Sequence, residues 1–264
     1  MFTFLTLLAL FLGTSIIGLI PIHLSISPKI INYLSVFGTG LLLGIALILL
    51  IPEGIDRAID EVTACLDDKD GCPDAPFHVP FSGVALLFGF LFMIFFERLK
   101  PQKLNWYLHP VTFALCIHSI VDGLMIGFSM AASASSIHLT VLISMIVHKI
   151  PAVISLTLVL LKAGLGKKQI QLQVIIFSSI APIFAFLSFL LLAYVEISSH
   201  LMFFSAGTFL FVAASQVNQN KTEVEDGKEC FQLLSSEESS KVVEMGLLTL
   251  GSLTSLLLNI FHTH

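Results

Sequence analysis

Charged side chains are scarce in this sequence. Only 12% of its 264 residues are Asp, Glu, Lys or Arg, whereas soluble domains usually carry about 25%. Hydrophobic residues make up 56%, and long apolar runs recur along the chain. This composition argues against a water-soluble globule, and the net charge of −5 offers no basic surface for nucleic acid. The sequence therefore predicts a membrane protein whose main partner is the lipid bilayer.

Eight apolar segments are long enough to cross a bilayer, so we predict an all-α, polytopic membrane protein. The whole chain, 1–264, would form one transmembrane domain. The expected spans are 2–20, 33–52, 80–97, 109–131, 140–161, 170–194, 201–217 and 245–262. The first is longer than the roughly 7–15 apolar residues of a signal peptide and lacks a basic start. We therefore expect it to be a retained span.

Basic residues are distributed unequally between the two sides of these spans. With the N-terminus outside, ten lie on the cytoplasmic side and only Arg57 and Lys69 on the other, as the positive-inside rule predicts. The ten are Lys29, Arg98, Lys100, Lys103, Lys162, Lys167, Lys168, Lys221, Lys228 and Lys241. Both termini are therefore expected to be extracytoplasmic. We expect the protein in the Golgi or another secretory-pathway membrane, or in the plasma membrane, and no sorting signal chooses between them.

Two connecting segments are acidic. Residues 53–79 form the expected extracytoplasmic loop, which either concentrates cations near an entrance or is simply a solvated loop. Residues 218–244 have the composition of a flexible cytoplasmic loop. Cys65 and Cys72 share the outer segment, and their spacing fits a disulfide or two free thiols equally well.

A short pattern is shared by the second and seventh spans. FGTGLLLGIALI and FSAGTFLFVAAS each have a glycine three residues after a phenylalanine: Phe37 and Gly40, and Phe204 and Gly207. The two spans run in opposite directions, as inverted repeats of transporters do. We therefore predict an inverted repeat of spans 1–3 and 6–8 around a central pair, spans 4 and 5. Gly40 and Gly44 also form a GxxxG pair, whose partner helix lies in this chain or in a second copy, as in a homodimer.

Four ionisable residues lie in the central pair of spans: His118, Asp122, His148 and Lys149. Each costs about 2.5–3.5 kcal/mol at the bilayer centre, so a cluster of four needs an explanation. His118 and Asp122 share one helix face at i and i+4, and His148 has a similar depth on the next, antiparallel span. Two imidazoles and a carboxylate suit a divalent cation such as Zn²⁺. A buried structural cluster is the alternative interpretation.

Further residues near these spans are candidates for the transport pathway. Ser119 and Ser144 offer hydroxyl oxygens, and Met125 offers a thioether sulfur. Pro151 removes a backbone hydrogen bond and favours a kink that frees carbonyl groups near the site. Glu53, at the outer end of the second span, either lines an entrance or caps the helix at the interface.

Two motifs resemble those of the ZIP family of zinc and divalent-metal transporters. HSIVDG, at 118–123, resembles the fourth-helix motif H-[NS]-x-x-[DE]-G, and HKIPAV, at 148–153, resembles the fifth-helix motif H-E-x-P-H-E. GTSIIGLIP, GTGLLLGIALILLIPEG and AGTFLFVA extend the resemblance to spans 1, 2 and 7. The resemblance implies transport of zinc or a related divalent metal from outside, or from a lumen, into the cytoplasm. It also implies that His118, Asp122 and His148 are metal ligands.

The fifth-helix motif departs from the family pattern. Lys149, Ala152 and Val153 stand where the fuller motif has Glu, His and Glu, and Ser119 replaces the usual Asn of the fourth helix. Three potential ligands of a second metal are therefore missing, and an ammonium group would repel a second Zn²⁺. We predict a single metal site in which Lys149 takes the electrostatic place of the second ion. Its expected partner is Asp122 or a backbone carbonyl.

The predicted function is secondary transport of a metal ion, with no cofactor and with alternating access to a site near the midplane. Since no nucleotide-binding loop is present, a gradient is expected to drive it. One alternative is an intramembrane zinc-dependent hydrolase, although HExxH is absent and no spare acid lies beside His148. Another is a membrane receptor with a structural polar cluster. Three ligands leave the choice among Zn²⁺, Fe²⁺, Mn²⁺ and Cd²⁺ open.

Overall fold

A computed structural model describes residues 2–24, 26–67, 78–99, 108–131, 135–191, 199–225 and 234–262. Within these ranges the regular secondary structure is helical and no strand occurs. Nine α-helices lie in them: α1 (Phe2–His23), α2 (Pro28–Gly44), α3 (Ile51–Asp67), α4 (His78–Leu99), α5 (Pro110–Ala131), α6 (Ser135–Lys162), α7 (Lys167–Leu191), α8 (Ser199–Glu225) and α9 (Leu234–His262). The all-α expectation is confirmed.

Six helical segments of the described chain are long and apolar enough to cross a membrane. They are Phe4–His23, Pro28–Asp60, Ser82–Leu99, Pro110–Phe128, Lys167–Leu190 and Ser199–Val217, and a shorter apolar segment covers Val242–Leu257. The protein is therefore polytopic. The count of eight stays a prediction, since on α6, which carries the expected fifth span, side chains are described only from His148 onward.

The second span is longer than predicted. A π-helical segment, Ile45–Leu50, joins α2 to α3, so one helix runs from Pro28 to Asp67. The first residues of the expected acidic loop, 53–67, are therefore helical, because apolar and charged residues alternate there at helical spacing in IPEGIDRAIDEVTACLD. The question of a disulfide between Cys65 and Cys72 falls outside the described side chains.

The acidic cytoplasmic segment is also partly helical. Helix α8 continues to Glu225 and α9 begins at Leu234, so both helices extend into the segment 218–244 that was expected to be a loop. Residues 226–233, between the two helices, lie outside the described ranges. Composition predicted a linker here, but the polar stretches at its two ends continue the hydrogen-bonding pattern of the adjoining helices.

Glycines bring α2 and α9 into close contact. A Cβ atom added at Gly40 would overlap the carbonyl group of Leu248, and one added at Gly251 would overlap the carbonyl oxygen of Phe37. Gly44, also on α2, lies against Ser252 and Ser255 of α9. The partner of the GxxxG pair is therefore α9 of the same chain. The predicted homodimer draws no support from this motif and stays a prediction.

The contact between α4 and α8 repeats this arrangement. Gly207 of α8 faces the carbonyl oxygen of Leu86, and Gly89 of α4 faces that of Phe204. Each glycine and each phenylalanine thus takes the place of its counterpart in the α2–α9 pair, with the spacing of the shared sequence pattern. The packing agrees with the predicted inverted repeat.

Helices α5 and α6 lie between the two repeats. They pack against each other, while α5 also packs against α7 and α8 and α6 against α1 and α2. Large apolar side chains are exposed on the outer helices, as a lipid-facing surface requires; examples are Phe4, Leu87, Phe88, Leu190 and Leu257. The four intramembrane ionisable residues are therefore on the two most central helices.

Candidate metal site

Two ionisable residues of α5 and two of α6 meet in the protein interior. His118 Nε2 lies 3.2 Å from Asp122 Oδ2, which is one helical turn later on the same face. From the neighbouring helix, His148 Nε2 lies 3.5 Å and Lys149 Nζ 3.0 Å from the same oxygen. Two imidazoles and an ammonium group therefore lie around a single carboxylate oxygen.

All four side chains are removed from solvent. Asp122 and His148 are 0% exposed, and His118 and Lys149 are 1% exposed. An isolated charge at such depth is very costly, whereas a carboxylate and an ammonium in contact compensate each other. Of the two partners predicted for Lys149, the structure has Asp122. The charges of this pair cancel, which makes the cluster tolerable inside the protein.

His118, Asp122 and His148 form one candidate ligand cluster. One ligand atom of each lies within 4.8 Å of the others. A tetrahedral zinc ion with bonds of about 2.1 Å needs ligand atoms about 3.4 Å apart, so modest side-chain rotations would complete a binding site. The metal would be the transported substrate here and not a resident cofactor.

Several buried polar atoms of this cluster lack hydrogen-bond partners among the described residues. They are Asp122 Oδ1 and both ring nitrogens of His148. A buried polar atom without a partner costs about 1–3 kcal/mol, so such atoms usually have a functional reason. A cation bound between the two helices would satisfy the carboxylate and one imidazole nitrogen together.

His118 is held from behind by helix α8. Ser205 Oγ lies 2.7 Å from His118 Nδ1, and the Phe209 ring contacts the imidazole with centroids 3.9 Å apart. A hydrogen bond at one ring nitrogen orients the other toward the ligand, which is a common support of metal-binding histidines. Ser205 was not among the residues predicted from the sequence. The available signal was its place after Phe204, where the matching pattern in the second span has Gly38.

The ammonium group of Lys149 is enclosed by α5 and α7. Nζ donates to Ser119 Oγ at 2.8 Å and to Asp122 Oδ2 at 3.0 Å, and it lies 5.3 Å from the centre of the Phe177 ring. Ser119, one of the residues predicted for the transport pathway, therefore accepts a hydrogen bond from Lys149. Phe177, on the sixth predicted span, was not identified from the sequence because nothing local relates it to the motifs.

The other predicted residues have varied surroundings. Met125 is buried in the apolar core, and α6 continues as a helix through Pro151. Glu53 forms an ion pair with Arg57 at 3.0 Å on α3, which leaves open both its entrance role and its interface role. Ser144 lies on α6, and its side chain is outside the described part.

Known proteins resemble this chain along most of its length. The family described as "ZIP Zinc transporter" matches residues 2–109 and 102–258. Zinc transporter ZIP9-B of Xenopus laevis and zinc transporter ZIP9 of Xenopus tropicalis are each 28% identical to it, over 97% of this chain and 96% of their own length. A zinc transporter ZIP9 of Macaca fascicularis is 30% identical over 57% of this chain and 66% of its own.

The family match covers the helices that form the cluster as well as those that pack around it. The likeness is to transporters, and the hydrolase and receptor alternatives gain no support from it. The chain is therefore an integral, multi-pass membrane protein with a divalent metal ion as its substrate, a transporter and not an enzyme, and it belongs to the ZIP zinc transporter family.

Proposed function

We propose that the protein carries zinc from the outside, or from an organelle lumen, into the cytoplasm through one intramembrane site. The ligands would be His118, Asp122 and His148. The observation that supports this most strongly is the convergence of these buried groups within 4.8 Å, with polar atoms that lack partners among the described residues. Two imidazole nitrogens and one carboxylate leave a fourth tetrahedral position for water, which suits an ion that must also be released.

The division of the ligands between two helices favours a transport role. His118 and Asp122 belong to α5, and His148 belongs to α6. A site shared by two helices opens when one group of helices moves relative to the other, as alternating access requires. The inverted repeat around this pair supports such a movement, because the two contacts between the repeats, α2 with α9 and α4 with α8, are equivalent.

The direction of transport is inferred from the orientation of the chain. Ten basic residues on one side against two on the other favour extracytoplasmic termini. In that orientation the acidic segment 53–79 faces the side from which zinc would enter, where its charge would concentrate cations. The membrane would be of the secretory pathway, such as the Golgi, or the plasma membrane.

A single ion per site is supported by Lys149. Its ammonium lies 3.0 Å from the carboxylate of Asp122, and positions 149, 152 and 153 offer no carboxylate or imidazole to a second ion. Like charges this close repel strongly in a dry interior, where salt does not screen them. The substitutions at positions 149, 152 and 153 therefore favour one zinc ion.

Zinc uptake into proteoliposomes containing the full chain tests the proposal. We expect zinc-dependent uptake by the wild type and loss to background in Asp122→Asn and His148→Ala, because each change removes one of three ligands. His23→Ala is the matched control, since it removes an exposed histidine at the end of α1. Absence of uptake in the wild type would overturn zinc transport. Wild-type rates in both site variants would overturn the ligand assignment.

A further inference from the structure

We propose that Lys149 is a built-in counter-charge, which neutralises Asp122 whenever zinc is absent and so lets the empty site return across the membrane. The inference rests on the proposed zinc transport and adds a step to its cycle. A carrier that moves one substrate in one direction must reset without cargo. The charge of the empty site has its largest effect during this return step.

The ammonium and the zinc ion would compete for the same atom. Asp122 Oδ2 is the oxygen that His118 and His148 face at 3.2 and 3.5 Å, and Lys149 Nζ contacts it at 3.0 Å. Zinc bound there by both imidazoles must displace the ammonium from this oxygen. The second carboxylate oxygen, Oδ1, has no hydrogen-bond partner among the described residues and could receive the displaced ammonium.

Ser119 and Phe177 let Lys149 stay in the site while this exchange occurs. The Ser119 hydroxyl accepts a hydrogen bond from Nζ at 2.8 Å, and the Phe177 ring lies 5.3 Å from it. Both interactions stabilise the ammonium group of Lys149, so that it does not need a second carboxylate beside it. The ammonium group of Lys149 is therefore held beside Asp122 by side chains that do not bind zinc in the proposed site.

The charge of the site then differs between the two halves of the cycle. The empty site contains one carboxylate and one ammonium and is neutral. The site with one zinc ion carries two positive charges. Without Lys149 the empty site would carry an unpaired buried carboxylate, and moving it through the low-dielectric interior would oppose the return step.

Two properties of transport follow. Net uptake needs no counter-transported ion, because the ammonium group of Lys149 already neutralises Asp122 in the empty site. The loaded step moves charge, so an inside-negative membrane potential should accelerate zinc entry. A lysine that only anchored α6 to α5 would have neither consequence, since its loss would lower every mode of transport in parallel.

Separating net uptake from exchange tests this role. Full-length wild type and Lys149→Met are placed in proteoliposomes, and labelled zinc is followed into zinc-free vesicles or into vesicles preloaded with unlabelled zinc. Exchange needs only the loaded site, whereas net uptake also needs the empty return. At zinc concentrations that saturate each protein, we expect Lys149→Met to lower the ratio of net uptake to exchange by at least about tenfold relative to the wild type. Lys149→Arg, which keeps the charge, should recover part of net uptake.

The control is Lys168→Met, the same substitution at an exposed lysine near the start of α7. Equal losses in both modes, or unchanged net uptake, would overturn the counter-charge. On the wild type alone, current and zinc flux in the same vesicles should give about two charges per zinc, and a ratio near zero would also overturn it. Absence of both modes in the wild type would overturn the proposed function and this inference together.

Discussion

At the scale of single residues, the site is organised around one carboxylate. Asp122 Oδ2 is within 3.5 Å of three basic groups, and all of them are buried. Asp122 is therefore the residue whose chemistry decides whether the cluster holds a cation or only an ion pair. The ammonium and a zinc ion would therefore compete for this oxygen.

Ser205 supports His118 and so belongs to the site. Ser205→Ala should weaken zinc binding by about 10–100-fold, because the imidazole loses the hydrogen bond that orients it. Competition with a fluorescent zinc chelator measures this affinity. Ser205→Thr, which keeps the hydroxyl, should recover most of it.

The control for this effect lies on the same helix. Ser215 donates a hydrogen bond to the carbonyl of Val212 within α8 and takes no part in the cluster. Ser215→Ala should leave zinc affinity within about twofold, since only a local helix bond changes. Equal affinity in the Ser205→Ala protein and the wild type would show that His118 needs no support from α8.

The residues of the site were partly predictable for a physical reason. His118 and Asp122 are one turn apart on a helix, and the short connection to the next span fixes the depth of His148, so spacing alone predicts their meeting. Ser205 and Phe177 come from α8 and α7, far along the chain. Which face of a distant helix meets the site depends on packing, and no local pattern encodes it.

At the scale of helices, close glycine contacts hold the two repeats together. Gly40 of α2 and Gly207 of α8 each lie against a backbone carbonyl of the partner helix. The shared pattern is visible in the sequence, but the sequence did not identify α9 as the helix that Gly40 contacts. The lengths of α3, α8 and α9 were also underestimated, because composition distinguishes apolar from polar stretches better than helix from loop.

Substitution of Gly40 and substitution of Gly207 should lower the stability of the protein to a similar extent. Gly40→Val and Gly207→Val force the backbones apart, because a side chain has no room against a carbonyl, and overpacking costs about 1–3 kcal/mol or more. We expect each to lower the thermal stability of the purified protein by several degrees or to prevent its isolation.

Gly246→Val is the matched control for both changes. Gly246 lies on α9, and an added Cβ there would meet nothing within 4 Å. Its thermal stability should equal that of the wild type. A loss of stability in only one of Gly40→Val and Gly207→Val would contradict the equivalence of the two interfaces.

At the scale of the whole molecule, the distribution of basic residues predicts orientation. With ten basic residues on one side and two on the other, both ends of the chain should face away from the cytoplasm. Short epitope tags at either end should be accessible to antibody only from the extracytoplasmic side of sealed membranes. A tag in the segment 226–233 should show the opposite accessibility. Cytoplasmic termini would reverse the inferred direction of transport.

The central claim is a single intramembrane zinc site built from His118, Asp122 and His148. Equilibrium binding of radioactive zinc to the purified full chain, compared with Asp122→Asn, tests it most directly. The account predicts that the wild type binds one more tight zinc ion per chain than the variant, because Asp122 is indispensable and Lys149 excludes a second ion. A difference of two ions, or no difference, would contradict it.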